Sequence, residues 1–203
     1  MHKRILASIG LALWATSTFA QLAPELVGNE TLGDPGKNWF IAKSRNGGYV
    51  YDADTGDMHG LVSFSSFTSS FEISNERREI YAPESYFSRA VHGERTDIVA
   101  VYDFENLSPV AEIEIPKKVA VLPFRRHVGM LNDGRHFLVF NMTPGQSVTV
   151  VDVETREFVG EISTPGCAMI MPVQERDFLM MCGVDASLHG NIAPDRRRPC
   201  IAP

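Results

Sequence analysis

A strand-and-turn pattern occurs three times along this sequence, at a spacing of about fifty residues, and limits the possible folds more than any other feature. Each copy is a run of β-branched and aromatic residues that ends in an aspartate, followed by a polar turn and a second apolar run. The copies begin at Tyr49, Val99 and Val148. A strand, an aspartate-initiated turn and a return strand predict a β-hairpin in each copy.

Hairpins repeated at this spacing are typical of a β-propeller, whose blades are four-stranded antiparallel sheets packed against their neighbours. A charged turn that leads into another strand also recurs, near Asn75, Asn132 and Gln174. The rest of the sequence after the N-terminal region has no convincing helical periodicity, so we predict an all-β fold. The predicted partial propeller covers residues 47–183, with about three blades, and an N-terminal segment covers residues 21–46.

The first twenty residues have the pattern of a secretory signal peptide. Two basic residues, Lys3 and Arg4, precede an apolar stretch over residues 5–15, and the segment ends in the small residue Ala20. The apolar stretch is short for a bilayer span, and a membrane anchor is the alternative interpretation. We expect a mature protein that is exported to a bacterial periplasm and is not bound to a membrane.

Two cysteines support an oxidising compartment. Cys167 and Cys182 flank two apolar runs that are joined by a charged turn, which predicts a disulfide across the arms of a β-hairpin. Such a bridge would contribute roughly 3 kcal/mol in the chain-entropy model. A metal site is the alternative, although no Cys-x-x-Cys or His-x-x-x-His spacing supports it. Cys200 has no evident partner in the sequence.

The last twenty residues depart from the repeated pattern. Residues 184–203 are rich in arginine, proline and alanine and have no strand alternation, so we predict a disordered tail. Our hypothesis is that the reading frame shifts just after Gly183, which would make the chain a truncated form of a longer propeller. A natural disordered tail is the alternative.

Charge and motif spacing exclude several functional classes. The net charge of −6 argues against a nucleic-acid partner, because such proteins usually carry a basic stripe. The six histidines have no metal-ligand spacing, and the serine-rich residues 63–70 contain no Gly-x-Ser-x-Gly nucleophile motif. Asp52, Asp103 and Asp152 recur once per repeat, and we interpret them as turn formers rather than catalysts.

One segment points to a known family. Residues 89–103 resemble the pattern R-x-x-R-G-x-R-T/S-D-x-V-x-V-x-D of the heavy subunits of quinoprotein amine dehydrogenases, the methylamine and aromatic amine dehydrogenases. The resemblance extends from about residue 50 to residue 183, and the cysteine pair looks like the hairpin disulfide of that family. His92 departs from the family, which usually has arginine there. The resemblance implies a seven-bladed propeller, of which this sequence covers about the first three blades.

The family also implies how the chemistry is divided between subunits. In that family the cofactor, tryptophan tryptophylquinone, forms on the small subunit, which also carries the catalytic base. We therefore expect no catalytic residue, cofactor or metal on this chain, and neither Trp14 nor Trp39 is placed to form such a quinone. The expected partners are the quinone-bearing small subunit, a small primary amine as substrate, and an amicyanin- or azurin-like blue copper protein as electron acceptor.

One aromatic side chain of the family lines the substrate channel, and the alignment puts Phe67 in its place. Its implied role is steric, since a ring in an apolar passage admits an amine of one shape and rejects another. The alternative is that Phe67 is ordinary blade core, like Phe64 and Phe71. The sequence thus predicts a heavy subunit that oxidises primary amines only in a complex and is inactive alone. A non-catalytic propeller used as a binding platform is the alternative function.

Overall fold

The computed structural model describes residues 31–117, 120–183, 186–192 and 200–202, and in this part of the chain the strands form four antiparallel sheets. The first sheet contains β1 (Trp39–Lys43), β2 (Gly47–Asp52) and β3 (Met58–Ser63). The second contains β4 (Glu72–Ser74), β5 (Glu79–Arg89), β6 (His92–Asp103) and β7 (Pro109–Ile115).

The other two sheets follow the same plan. A 3-10 turn, Arg125–His127, leads into the third sheet, which contains β8 (Val128–Met130), β9 (His136–Asn141), β10 (Ser147–Asp152) and β11 (Glu157–Ser163). The fourth contains β12 (Cys167–Pro172), β13 (Asp177–Cys182), β14 (Ala186–Asn191) and β15 (Cys200–Ala202). Within each sheet the strands lie side by side in chain order. No helix in the described ranges is long and apolar enough to cross a membrane.

The three predicted hairpins are confirmed as β2–β3, β6–β7 and β10–β11. Each has a register shift at the same point, just before the aspartate at the end of its first strand. The Oδ1 atoms of Asp52, Asp103 and Asp152 accept hydrogen bonds from backbone N–H groups two or three residues further on. This is the side-chain turn for which aspartate is favoured, so their role as turn formers is confirmed.

Consecutive sheets pack face to face. Neighbouring residues of a strand point to opposite faces of its sheet, so one strand can contribute side chains to the cores on both sides. In β5, Ile80 belongs to the core cluster shared with the first sheet, whereas Tyr81 belongs to the cluster shared with the third. In β9, Phe137 packs towards Tyr81, with ring centroids 5.8 Å apart, whereas Leu138 joins a cluster with Phe178 of the fourth sheet. The predicted all-β fold of propeller type is confirmed, with four consecutive sheets where the sequence predicts about three blades.

The sheets extend beyond both predicted limits of the propeller segment. Strand β1 lies in the predicted N-terminal segment but is the first strand of the first sheet. At the other end, residues 186–191 of the predicted tail form β14, which pairs with β13 along its whole length. A side chain at Gly190 would collide with the ring of Phe178, so this glycine lets the two strands and the core fit together.

Parts of the predicted organisation lie outside the described residues. These are the predicted signal peptide, residues 1–20, residues 21–30 of the N-terminal segment, and residues 184–185, 193–199 and 203 of the predicted tail. The predicted bridge, in contrast, is confirmed, since Cys167 and Cys182 form a disulfide. It joins the first residue of β12 to the last residue of β13, which lie directly opposite each other in the ladder.

Candidate functional site

Phe67 lies on residues 64–71, the segment that crosses from the first sheet to the second between β3 and β4. Its half-buried ring meets the ring of Phe87 edge to face, with centroids 5.1 Å apart and an interplanar angle of 68°. Phe64 and Phe71 instead stack on each other in the core cluster between the two sheets. Phe67 is therefore outside that cluster, and its place in a substrate channel stays a prediction.

The hairpin formed by β5 and β6 explains how Phe87 reaches Phe67. These strands have 11 and 12 residues, whereas the equivalent strands of the third sheet, β9 and β10, have 6 each. The additional residues extend the hairpin, whose tip includes Val91, a side chain that is 69% exposed. The extended part lies beside the crossing segment and supplies Phe87.

Hydrogen bonds fix the backbone of the crossing segment to β5. The N–H of Ser65 donates to Glu84 Oε2 at 3.0 Å, and Ser65 Oγ donates to the carbonyl oxygen of Ser85 at 2.7 Å. The N–H of Phe67 donates to Ser65 Oγ at 3.2 Å, and Thr68 Oγ1 donates to the carbonyl oxygen of Ser65 at 2.8 Å. Ser65 is thus the residue through which the second sheet holds the backbone next to Phe67.

Glu84 is a fully buried carboxyl group at the base of this site. Its oxygens accept from the Ser65 N–H and the hydroxyl of Tyr86, and Glu84 Oε1 lies 2.8 Å from Tyr102 Oη. Tyr102 Oη also lies 2.9 Å from the carbonyl oxygen of Ser63, yet a tyrosine has one hydroxyl proton. Both contacts are hydrogen bonds when Glu84 is protonated and donates to Tyr102 Oη. Burial favours this form, because it raises the pKa of Glu84 despite the opposing hydrogen bonds.

Arg95 and Asp97 of β6 form a bidentate ion pair next to Phe87. Arg95 Nε lies 2.7 Å from Asp97 Oδ1, Arg95 Nη2 lies 2.8 Å from Asp97 Oδ2, and Asp97 is fully buried. Arg95 Nη2 also donates to Ser85 Oγ at 3.3 Å, and the guanidinium carbon lies 5.8 Å from the centroid of the Phe87 ring. The segment singled out by its resemblance therefore has a structural role beside Phe67.

The structure brings together residues that the sequence did not connect. Phe67 was predicted, and Arg95 and Asp97 were noted only as parts of a motif, whereas Glu84 and Phe87 were not singled out. The one sequence signal for Glu84 is a carboxyl residue directly after an apolar run, residues 80–83. Within the described ranges, no group of three or more His, Cys, Asp and Glu side chains could hold a metal ion.

Trp39 lies in the first sheet, apart from this network. Its indole N–H donates to Asp52 Oδ2 at 3.2 Å, and its ring stacks on the ring of His59, with centroids 4.1 Å apart. The other tryptophan, Trp14, lies outside the described residues. Trp39 therefore acts as a structural residue of the blade.

Solved structures with a similar arrangement support the fold alone. The dihydro-haem d1 dehydrogenase NirN superimposes with a TM-score of 0.54 at 14% identity, over 82% of this chain and 35% of that chain. A proposed 6-phosphogluconolactonase of Bacteroides fragilis gives a TM-score of 0.52 at 13% identity, over 89% of this chain and 54% of that chain.

Sequence relatives are more specific. The methylamine dehydrogenase heavy chain of Paracoccus versutus is 28% identical over 137 residues, which are 66% of this chain and 32% of the relative. The heavy chain of Methylobacillus flagellatus is 26% identical over 154 residues, which are 72% of this chain and 38% of the relative. This chain thus spans about a third of the length of these relatives.

The family model for the methylamine dehydrogenase heavy chain matches residues 32–197. The match continues past Gly183, the position after which the hypothesis of a shifted reading frame places the end of the family sequence. It includes the crossing segment, the long hairpin and the disulfide. Because the match covers most of the sequence, this chain belongs to the methylamine dehydrogenase heavy chain family.

Proposed function

We propose that this chain is heavy-subunit polypeptide of a periplasmic amine dehydrogenase. The assembled enzyme oxidises a primary amine to an aldehyde and ammonia. The observation that carries the proposal is the family match over residues 32–197. The chain spans about a third of the length of its curated relatives. We therefore assign the activity to an assembled enzyme rather than to this chain by itself. The signal-like pattern of the first twenty residues supports the periplasmic location.

In this proposal the chain is a scaffold and part of the wall of the substrate channel. The tryptophan tryptophylquinone of a light chain supplies the oxidising group, and a blue copper protein of the amicyanin or azurin type accepts the electrons. Phe67 narrows the channel, and its half-buried ring with a fixed backbone suits that steric role. We expect the 203-residue chain to be inactive alone.

Capture of the protein from its native host tests the assembly. An affinity tag placed after residue 20 would retain the gene product at whatever length the host makes it, and mass spectrometry would give that length. We expect a small quinone-bearing chain to be retained with it, visible by a redox-cycling stain, and amine-dependent dye reduction by the complex. A tagged chain recovered alone, without quinone stain or dye reduction, would favour the binding-platform alternative.

The steric role of Phe67 predicts a change in substrate preference. In the captured complex, Phe67→Ala should raise kcat/KM for benzylamine relative to methylamine by about tenfold, because loss of the ring widens the channel and shape discrimination of this kind is worth about 1–3 kcal/mol. Phe158→Ala, at a ring that is 41% exposed on β11, is the matched control and should leave the ratio unchanged. An unchanged ratio for Phe67→Ala would remove Phe67 from the channel.

A further inference from the structure

The backbone contacts of the crossing segment leave one feature of Phe67 undetermined. The hydrogen bonds of Ser65 place the backbone of Phe67, but they do not set the direction of its ring. The described aromatic contact of that ring is with Phe87, edge to face at 5.1 Å. Such pairs have a preferred geometry and contribute about 0.5–1.5 kcal/mol beyond the buried area, so Phe87 can select one orientation of Phe67.

Phe87 itself needs support, because it lies near the tip of the hairpin. The pairing of β5 with β6 shifts register between Phe87 and Arg89, so the regular ladder ends there. The residue directly opposite Phe87 is Arg95, whose guanidinium carbon lies 5.8 Å from the centroid of the Phe87 ring. A guanidinium in this position attracts the aromatic ring.

Arg95 is held in turn by the buried part of the blade. Its two contacts with Asp97 use both carboxylate oxygens, and its third contact is with Ser85 Oγ. Asp97 and Ser85 are both fully buried, so the guanidinium is fixed against the rigid part of the sheet. Lysine cannot reproduce this arrangement, because its ammonium lacks the planar two-donor geometry.

We propose that Arg95 and Phe87 are positioning residues that fix the orientation of the Phe67 ring. The long hairpin of the second sheet, rather than the first sheet, then sets the shape of the predicted substrate channel at Phe67. This inference rests on the proposed function only where it concerns amine selection, since the arrangement of the side chains can be measured without a quinone partner.

Fluorine NMR of the full chain, labelled with 4-fluorophenylalanine, tests the arrangement directly. The Phe67 resonance is assigned by its loss in Phe67→Leu. We expect Phe87→Leu and Arg95→Lys each to move the Phe67 resonance towards its position in the unfolded chain, because the ring loses a fixed neighbour. The other phenylalanine resonances should keep their folded dispersion, which shows that each variant is folded.

Two matched controls distinguish this local effect from a general loss of packing in the folded chain. Phe71→Leu should move the resonance of Phe64, its stacking partner, and leave that of Phe67 in place. Arg78→Lys alters an exposed ion pair with Asp34 and should move neither. A Phe67 resonance that stays unchanged in folded Phe87→Leu and Arg95→Lys would overturn the proposal.

Substrate preference then shows whether the arrangement serves the proposed function. In the assembled enzyme, Phe87→Leu should change the benzylamine to methylamine ratio in the same direction as Phe67→Ala, and the double variant should show less than the sum of the two effects on a logarithmic scale. Additive effects would contradict positioning through Phe67. If Phe67→Ala leaves the ratio unchanged, the proposed channel role fails, whereas the NMR result on positioning stands.

Discussion

Glu84→Ala should lower the free energy of unfolding by about 3 kcal/mol, because a buried donor left without its acceptor costs about 1–3 kcal/mol and the loss of a fully buried side chain leaves a cavity. The variant removes the acceptor for the Ser65 N–H and one of the two partners of the Tyr102 hydroxyl, both at the junction of the first two sheets. Urea denaturation followed by circular dichroism measures the change. Glu114→Ala, at an exposed carboxyl of the same sheet, is the matched control and should change it by less than about 0.5 kcal/mol.

The raised pKa of Glu84 makes this contribution depend on pH. Burial raises the pKa of the carboxyl above its ordinary value of 4.5, so the folded chain keeps the proton to a higher pH than the unfolded chain does. The stability contributed by Glu84 is complete below pH 4.5 and is lost as the pH rises through the folded-state pKa. Glu84→Gln has no such proton, so its difference in stability from the wild type should become smaller as the pH rises. Parallel stability curves would contradict a protonated Glu84.

Removal of the disulfide is expected to have a similarly large effect. The double variant Cys167→Ser and Cys182→Ser should lose roughly 3 kcal/mol of stability, since the bridge closes a loop with a sequence separation of 15 residues and restricts the unfolded chain. Thermal unfolding of the oxidised wild type, the reduced wild type and the double variant measures the loss. The last two should unfold at similar temperatures.

Cys200→Ser controls for the loss of a thiol without loss of the bridge. It should unfold like the oxidised wild type and should respond to reductant as the wild type does. If the double variant were as stable as the oxidised wild type, the bridge would make no net contribution to the fourth sheet.

The parts of the fold that the sequence predicts are those with strong local signals. The hairpin of β10 and β11 combines a β-branched run with the turn-forming Asp152, and both of these signals act within a few residues. Strand β14 has no such signal, because Ala186, Ser187 and Gly190 have weak strand preference. Its position depends on pairing with β13, and a partner strand is not visible in a local pattern.

The residues of the candidate site likewise divide into those that the sequence identifies and those that only the folded chain brings together. Phe67 was identified through a family resemblance, which carries spatial information that local patterns lack. Glu84 resembles any charged residue of a half-exposed strand until Ser65 and Tyr102 are seen to meet it. Arg95 was recognised within a motif, but its physical role depends on a contact with Phe87 across the hairpin. Contacts between separate segments therefore decide the site, and they require the folded chain.

The pairing of each core cluster with two consecutive sheets also bears on the order of folding. Within each sheet, every described strand lies beside its neighbour in the chain, and each described core cluster joins two consecutive sheets. The hairpin contacts within a sheet close short loops, which favours rapid formation of each sheet. The second sheet can dock on the first as soon as β7 has been synthesised, before any residue of β8 exists. The chain can therefore acquire its structure progressively from the N-terminal side, because each described sheet is formed by strands that follow one another in the chain.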